Sequence, residues 1–376
     1  MKKLKGKPNA IWSVLKDVRN HSPNSLMSDP DNLEALNKIF ADNFSLSPDW
    51  SLLLQSIKEA SGNAVEEQNS WNIDVCVEKT KTMLNKLKTS KAAGCDDFPP
   101  LLAKAASQEL AGPLTHLIAL SVRSQSVPSI WKFANVTPVP KCKNPSLYDY
   151  RPISVLSVFS KVLEQYVCDF LLSSFVDLYG HDQFGFRPRH STLHANIRSH
   201  DFITLCLDDT NFLGVAMITF DMAKAFDKLN HFNLITSLLD ACLPNEFVLW
   251  CCDFLQNRRQ RVKFGSLFSS SVSITSGVPQ GGKLSPFLFY CLHMSSLSPF
   301  HTCALMSKYA DDIVVLLPLT TLHLVDNKIK AEVDNVKFWC DTHGLLLNEN
   351  KTKCMLLSRK TLPMPLVNVA PCKTAP

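Results

Sequence analysis

The spacing of apolar residues predicts several long helices along the chain. Between residues 158 and 171, apolar side chains recur at the i, i+3 and i+4 positions that place them on one face of a helix. A similar pattern over 101–126 ends before Pro128, a residue that commonly follows a helix end. The same spacing predicts helices at 228–239, at 287–290 and at 322–339, the last ending at Gly344.

Shorter apolar runs predict β-strands between these helices. Strands are expected at 134–141, 215–221 and 355–358, and the runs 262–264 and 272–274 alternate like two hairpin strands around a Gly-Ser turn. The order of strands, hairpins and helices in the second half of the chain is typical of a split βαβ unit. We therefore expect an α+β fold.

Three aspartates lie where these strands are expected to end. The tetrapeptide Tyr309-Ala310-Asp311-Asp312 separates two apolar runs, which places two adjacent carboxylates at the tip of a β-hairpin, and Asp221 ends the strand at 215–221. Mg²⁺ prefers carboxylate and phosphate oxygens, and nucleotidyl transfer uses two metal ions about 3.5–4 Å apart. The alternative is a plain turn, since Asp favours turns in general.

Length and composition are those of a folded globular protein. The chain has 376 residues, 45% of them hydrophobic and 19% charged, which allows two or three subdomains with cores of their own. Thirteen cysteines without a C-x-x-C motif favour reduced thiols. No apolar stretch is long enough to span a bilayer. We expect a soluble protein of the nucleus or the cytoplasm with no membrane partner.

The net charge is only +5, but the basic residues are clustered. A single cluster of this kind is more often a solvated surface than a binding site. Several clusters near one acidic centre instead suit a nucleic-acid backbone. The clusters contain Lys2, Lys3, Lys5 and Lys7; Lys141 and Lys143; Arg187 and Arg189; and Arg258, Arg259, Arg261 and Lys263.

Seven short blocks between about residues 91 and 359 resemble, in order, the reverse transcriptase of non-LTR (LINE-type) retrotransposons of the jockey or chicken-repeat style. The block at 184–188, Phe-Gly-Phe-Arg-Pro, distinguishes this group from retroviral enzymes. The blocks are Lys91-Ala-Ala-Gly-Cys-Asp-Asp-Phe-Pro99, Tyr150-Arg-Pro-Ile-Ser154, Gln183-Phe-Gly-Phe-Arg-Pro-Arg-His-Ser-Thr192, Phe220-Asp-Met-Ala-Lys-Ala-Phe-Asp227, Ser276-Gly-Val-Pro-Gln-Gly281, Tyr309-Ala-Asp-Asp312 and Leu347-Asn-Glu-Asn-Lys-Thr352.

The resemblance implies the fingers and palm of a right-hand polymerase, with the thumb largely missing. It places a helical lead-in at 1–90, fingers at 91–214, a palm at 215–359 and a tail at 360–376, with a reverse transcriptase domain over about 121–376. It implies RNA-directed DNA synthesis from dNTPs, an RNA template, a DNA primer and two Mg²⁺ or Mn²⁺ ions. The chain would then be part of a longer element protein that supplies an endonuclease and a thumb, or a truncated copy.

Matching positions imply roles for single residues. Asp221, Asp311 and Asp312 resemble the catalytic, metal-binding triad, and the carbonyl of Met222 would face a metal ion. Phe226 resembles an aromatic plate that clashes with a ribose 2′-hydroxyl, although it is also compatible with a plain core residue.

Further matches concern the substrates. Gln280 resembles a nucleotide contact, and Lys141 and Arg151 resemble residues that neutralise the triphosphate. Lys351 resembles a lysine that protonates pyrophosphate, or is an ordinary surface lysine. The expected nucleic-acid contacts are Arg187, Arg189 and Gly281, and Arg187 could equally pair with a carboxylate.

Two departures from the family pattern stand out. Gly282-Lys283 replaces a small polar and an apolar residue, which would put a charge near the nucleotide pocket, and Cys95-Asp96-Asp97 replaces Pro-Asp-Gly. A second hypothesis, supported by the missing thumb, is a catalytically idle nucleic-acid-binding remnant that uses the basic clusters without turnover. An RNA-dependent RNA polymerase is disfavoured by Phe226 and by Ala310.

Overall fold

The structure is a computed structural model that describes residues 27, 29–45, 47–62, 71–175, 180–321, 325–359 and 373–374. It is a mixed fold of helices and two β-sheets. The α-helices are α1 Pro30–Ala41, α2 Trp50–Gly62, α3 Val77–Asn85, α4 Pro100–Ala105, α5 Ser107–Arg123, α6 Val158–Ser174, α7 Thr192–Asp208, α8 Ala225–Lys228, α9 His231–Asp240, α10 Asn245–Leu255 and α11 Val325–Thr342.

The strands are β1 Phe133–Pro140, β2 Tyr150–Val155, β3 Gly214–Ala223, β4 Arg259–Phe264, β5 Leu267–Phe268, β6 Val272–Ser273, β7 Leu305–Tyr309, β8 Asp312–Leu319, β9 Leu346–Leu347, β10 Lys353–Leu357 and β11 Lys373–Thr374. The first sheet has the order β2-β1-β4-β5, and β6 also pairs with β4. β1 runs antiparallel to β2 and parallel to β4. Helix α1 covers one face of this sheet, because Leu33, Leu36 and Phe40 pack against Val136 and Val262.

The second sheet has the order β11-β10-β3-β8-β7, and β9 pairs with the end of β3. Both of its faces are covered. Successive side chains of β3 point to opposite faces of the sheet, and each set packs against other parts of the protein. Ala216, Ile218 and Phe220 enter the main core, whereas Val215 and Met217 pack in a smaller cluster with α7. Apart from Thr219, the central strand is therefore apolar from Val215 until it reaches Asp221.

Most predicted elements are present, with local differences. The turn at Gly265-Ser266 is confirmed, but it joins β4 to the short β5, while β6 pairs with the opposite end of β4, at Arg259 and Gln260. The predicted helix at 287–290 is a π-helix, Phe287–Leu292. Residues 322–324 of the predicted last helix and the tail at 360–372 lie outside the described residues.

The expected division into domains stays a prediction, but two observations bear on it. Strands β4 to β6 come from the interval assigned to the palm, yet they join the sheet formed by β1 and β2. Within the expected lead-in, α1 packs on that sheet, and Leu53, Ile57 and Leu84 of α2 and α3 belong to the main core. Among the helices that the structure describes, none combines the length and apolar character needed to cross a bilayer.

Candidate active site

The three aspartates meet at one end of the second sheet. β3 and β8 are antiparallel, and their register places Asp221 opposite Asp312. Tyr309 pairs with Asp312 across the β7–β8 hairpin, so Ala310 and Asp311 form a two-residue turn. Ala310 takes a φ of 58°, in the left-handed region that L-residues other than Gly, Asn and Asp seldom occupy. Asp311 is partly buried and Asp312 is exposed.

A buried glutamine holds this strained turn in place. The Gln183 Oε1 atom accepts hydrogen bonds from the backbone N–H of Gly185, at 2.8 Å, and of Ala310, at 3.1 Å. A Cβ atom on Gly185 would lie 2.4 Å from the Ala310 nitrogen, so only glycine fits there. Sequence analysis did not assign a role to Gln183; its position directly before the Phe-Gly-Phe-Arg-Pro block was the available signal.

Lys308 anchors the hairpin from inside the protein. Its side chain is fully buried, and its Nζ lies 2.9 Å from the Asp182 carboxylate, 2.9 Å from the Met294 carbonyl and 2.5 Å from the Leu297 carbonyl. Burial lowers the pKa of Lys308, and the charge of Asp182 acts against that shift. A buried cation with three partners fixes the path of β7 just before the acidic turn.

The carboxylates of Asp221, Asp311 and Asp312 repel one another. Burial raises the pKa of Asp312, and the charges of Asp311 and Asp221 raise it further, whereas Lys351 lowers it. The Lys351 Nζ lies 3.0 Å from Asp221 Oδ2, and Asn348 Nδ2 lies 3.3 Å from the same oxygen. The Asn348 N–H also donates to the Asp221 carbonyl, at 2.8 Å. A cation that binds Asp221 through this oxygen must displace the Lys351 ammonium.

The chemistry of the donors fits a hard divalent cation. Three carboxylates in adjacent strand ends supply the oxygen ligands that Mg²⁺ prefers. Their repulsion is also what a bound cation would relieve. In the described part of the chain, no three or more Asp, Glu, His or Cys side chains are already arranged as a complete metal site.

An aromatic group lies beside the acids. Tyr290 is buried, and its pKa is raised first by that burial and then by the neighbouring Asp311 carboxylate. The Phe226 ring meets Tyr290 edge-on with ring centroids 5.3 Å apart, and Phe186 stacks on Tyr290 at 5.2 Å and 5°. Phe226 is only partly buried, so it borders the main core rather than filling it.

The loop at 276–282 is fastened to the segment after β3. Backbone N–H groups of Gly277 and Val278 donate to the carbonyls of Leu229, at 2.7 Å, and Phe226, at 2.8 Å. His231 Nε2 lies 2.7 Å from the Gly277 carbonyl, and burial lowers the pKa of His231 to about 4, so the neutral ring donates this bond. These hydrogen bonds fix the position of the loop relative to Phe226.

The same loop reaches the first sheet. The Gln280 carbonyl accepts a hydrogen bond of 2.9 Å from the Ser154 N–H. Gly281 has a φ of 148°, and a Cβ atom there would lie 2.2 Å from the Ser154 carbonyl oxygen. Gln280 and Gly281 are thus brought to the junction between β2 and the Phe226 segment.

The Lys283 side chain, expected near the nucleotide pocket, lies against α6. Its Nζ donates to Gln165 Oε1 at 2.6 Å, so the ammonium is held on α6. The buried Glu164 carboxylate also accepts hydrogen bonds from the backbone N–H groups of Lys283, at 2.6 Å, and Leu284, at 3.1 Å. Sequence analysis assigned no role to Glu164 either.

Four of the predicted basic residues lie in two groups, one at the first sheet and one in the loop beside the acidic turn. Lys141 and Arg151 are exposed near the paired ends of β1 and β2. Burial raises the pKa of Asp227 to about 6, and the nearby charge of Lys141 acts against that shift. Arg187 and the exposed Arg189 follow Gln183 in the loop that contacts the acidic turn. Met222 continues β3 directly after Asp221, with its side chain buried.

Comparison with known proteins gives a family match. The family model described as reverse transcriptase (RNA-dependent DNA polymerase) matches residues 139–370. A probable RNA-directed DNA polymerase from transposon BS of Drosophila melanogaster is 28% identical over 76% of this chain and 32% of its own length. The RNA-directed DNA polymerase from mobile element jockey of the same species is 27% identical over 78% of this chain and 33% of its own length. The chain thus spans about a third of the curated relatives it matches.

Solved structures of telomerase from Candida tropicalis also align with the chain. The apo form truncated from the C-terminal domain has 17% identity and a TM-score of 0.43, over 68% of this chain and 56% of that chain. The complex with the TWJ fragment of telomeric RNA has 16% identity and a TM-score of 0.45, over 75% of this chain and 50% of that chain.

Proposed function

The chain belongs to the reverse transcriptase (RNA-dependent DNA polymerase) family, and from this premise we propose that it copies RNA into DNA by adding dNTPs to the 3′-hydroxyl of a primer. The observation that carries the proposal is the convergence of Asp221, Asp311 and Asp312 at one end of the second sheet. The proposed setting is a LINE-type retrotransposon protein of the nucleus or the cytoplasm.

The family implies a divalent-metal requirement, and the proposed ligands are the three aspartates and the Met222 carbonyl. We propose two Mg²⁺ or Mn²⁺ ions. When bound, such ions activate the attacking hydroxyl and neutralise charge on the phosphates. The aspartates supply fixed negative charge at that point, and Gln183 holds the turn that carries two of them.

The remaining predicted residues act on the substrates. Phe226, held by Tyr290, lies under the incoming sugar and excludes a 2′-hydroxyl. Gln280 contacts the nucleotide from a loop that is hydrogen-bonded to β2 and to the Phe226 segment. Lys141 and Arg151 neutralise the triphosphate, Lys as a point charge and Arg through its forked donors. Lys351, next to Asp221, can pass a proton to pyrophosphate.

Template and primer contacts are proposed for Arg187, Arg189 and Gly281. In this assignment the first sheet belongs to the fingers and the second sheet to the palm, in a split βαβ arrangement. The thumb and the endonuclease would come from other parts of the element protein. The interval 215–359 contributes strands to both units.

A second function is favoured by one observation. The Lys351 ammonium lies 3.0 Å from Asp221 Oδ2, one of the two oxygens through which this residue could bind a metal ion. This arrangement suits a chain that binds RNA through its basic residues without turnover.

Primer extension on poly(rA)/oligo(dT) separates these two functions. We expect the wild type to incorporate dTTP with Mg²⁺ or Mn²⁺, and the Asp311→Asn/Asp312→Asn variant to lose incorporation while still binding the template. Asp240→Asn, an exposed change at the end of α9, is the matched control. No incorporation by the wild type, with salt-sensitive template binding retained, would establish the binding function instead.

A further inference from the structure

The buried Glu164 carboxylate has no role in the assignments above, although it holds the chain just after Gln280. We propose that Glu164 is a positioning residue that fixes the loop at 276–282 and thereby sets the affinity for the incoming nucleotide. The inference rests on the proposed polymerase function and adds a determinant that lies outside the three aspartates.

The hydrogen bonds of the Glu164 carboxylate are the first observation. The residue is 1% exposed. Its Oε2 atom accepts bonds from the backbone N–H groups of Lys283, at 2.6 Å, and Leu284, at 3.1 Å, and its Oε1 atom accepts one of 3.0 Å from the Ser160 hydroxyl. Because an ionised carboxylate only accepts, three donors directed at its two oxygens fix its orientation.

The two N–H groups belong to the start of a helix. The Leu284 carbonyl accepts the first helical bond, of 3.0 Å, from the Leu288 N–H, and the π-helix Phe287–Leu292 follows. The first N–H groups of a helix lack partners within the helix and favour a negative charge. Glu164 supplies that charged acceptor from α6, so the end of the loop is fixed relative to α6.

The strand before α6 holds the other side of the same loop. The Ser154 N–H of β2 donates to the Gln280 carbonyl at 2.9 Å. Ser157 joins β2 to α6, and its side chain caps the helix by accepting a bond of 3.2 Å from the Phe159 N–H. Gln280 is thus held from both sides by one continuous stretch of chain. The bond uses its carbonyl and leaves its partly exposed side chain for the substrate.

Gly282 lets the loop backbone approach the carboxylate closely. A Cβ atom on Gly282 would lie 2.8 Å from Glu164 Oε2 and 2.9 Å from the Ser285 hydroxyl oxygen. The carboxylate cannot withdraw without losing bonds to its three donors. Gly282→Ala should therefore disturb the same contact from the opposite side.

Two substitutions of Glu164 separate positioning from packing. Glu164→Leu keeps apolar bulk but leaves two buried backbone N–H groups without their acceptor, whereas Glu164→Gln keeps one oxygen that can serve them. Glu332→Leu is the matched control. Glu332 is also fully buried and accepts backbone bonds, from Phe300 at 3.0 Å and His301 at 2.8 Å, but it holds a different loop.

Nucleotide affinity is measured on poly(rA)/oligo(dT) whose primer ends in a dideoxynucleotide, so that dTTP and Mg²⁺ bind without turnover. We expect the dTTP dissociation constant to rise at least about tenfold in Glu164→Leu and about threefold or less in Glu164→Gln, where the N–H groups keep an acceptor. Glu332→Leu should stay within about twofold of the wild type, because it acts on a separate loop.

Amide hydrogen exchange followed by mass spectrometry tests the positioning itself, on the protein without nucleotide. Peptides that contain Lys283 and Leu284 should exchange faster in Glu164→Leu than in the wild type, and at the wild-type rate in Glu332→Leu. Circular dichroism checks folding. If Glu164→Leu does not fold, Gly282→Ala carries both measurements with the same expected direction.

Unchanged exchange of these peptides in the folded variant would overturn the positioning role. Equal dTTP affinity in that variant and the wild type, an equal loss in Glu332→Leu, or no dTTP binding by the wild type would overturn the effect on nucleotide binding. A wild type that binds dTTP more tightly than Glu164→Leu but does not extend an unblocked primer would contradict the proposed function and leave this inference standing.

Discussion

Two residues at this site combine a candidate functional role with a structural contact inside the protein. Asp221 is a candidate metal ligand, yet one of its oxygens is held by Lys351 and Asn348. Phe226 is a candidate sugar plate, yet it also packs against Tyr290 and Phe289. Its partial burial leaves part of the side chain accessible, as a sugar plate requires.

Replacement of Phe226 tests the sugar plate. Phe226→Ala removes the ring that would meet a 2′-hydroxyl, so UTP incorporation relative to dTTP should rise about tenfold or more. Competition between the two nucleotides during primer extension measures the ratio. Phe338→Ala, at a phenylalanine 72% exposed on α11, is the control and should leave the ratio unchanged. An unchanged ratio in Phe226→Ala would assign Phe226 to packing alone.

The three aspartates could be predicted from sequence because Asp221 ends an apolar strand and the Asp311-Asp312 pair separates two apolar runs. Gln183, Lys308 and Glu164 could not, since their roles depend on long-range contacts. Gln183 and Ala310 are 127 residues apart, and Glu164 and Lys283 are 119 apart. Composition and periodicity describe neighbours along the chain, and they carry no information about which distant backbone groups a buried amide or carboxylate will satisfy.

At the scale of elements, the loop at 276–282 joins β2 of the first sheet to the segment that follows β3. It bonds to the carbonyls of Phe226 and Leu229 on one side and to Ser154 of β2 on the other. Local periodicity predicted the strands that flank this loop and the turn at Gly265. It did not predict that β4 would pair with β1 in parallel, because that pairing depends on a crossover of more than a hundred residues.

Two glycines with positive φ test the role of the loop. Gly281→Ala should weaken or abolish primer extension, since its Cβ would lie 2.2 Å from the Ser154 carbonyl oxygen. Gly265→Ala shares the backbone strain, with a φ of 59°, but meets nothing within 4 Å. We expect it to lose only about 1 kcal/mol of stability and to keep its activity. Equal activity in both variants would show that the junction is not needed for synthesis.

The molecule as a whole combines a match to the reverse transcriptase family with only part of the length of its relatives. The resemblance to LINE-type reverse transcriptases inferred from seven blocks is confirmed by the family match and the transposon-encoded relatives. Four of the seven blocks contact one another around the three aspartates in the structure. These blocks are residues 183–192, 220–227, 309–312 and 347–352.

The stability of the whole fold should depend on pH through Asp227. Burial raises the pKa of this carboxyl from 3.8 to about 6, so its contribution to stability is complete below pH 3.8 and is lost as the pH rises to about 6. Asp227→Asn removes the cost of ionisation and should stabilise the protein at pH 7.5 by on the order of 2 kcal/mol. The thermal midpoint should rise at pH 7.5 and change much less at pH 4.

The control for this measurement is Asp240→Asn, which replaces an exposed carboxylate. Its thermal midpoint should follow the wild type at both pH values. A lower midpoint for Asp227→Asn at pH 7.5 would mean that the ionised carboxylate gains more from Lys224 and Lys141 than burial costs it.

Cleavage of the backbone by bound Fe²⁺ tests most directly whether the three aspartates form one centre. Fe²⁺ in place of Mg²⁺, with ascorbate and peroxide, produces radicals that cut the chain beside the ion. We expect cuts near Asp221 and near 310–312, suppressed by excess Mg²⁺ and lost in Asp311→Asn but retained in Asp240→Asn. Cuts confined to other segments, or unchanged in Asp311→Asn, would contradict a metal centre at these carboxylates.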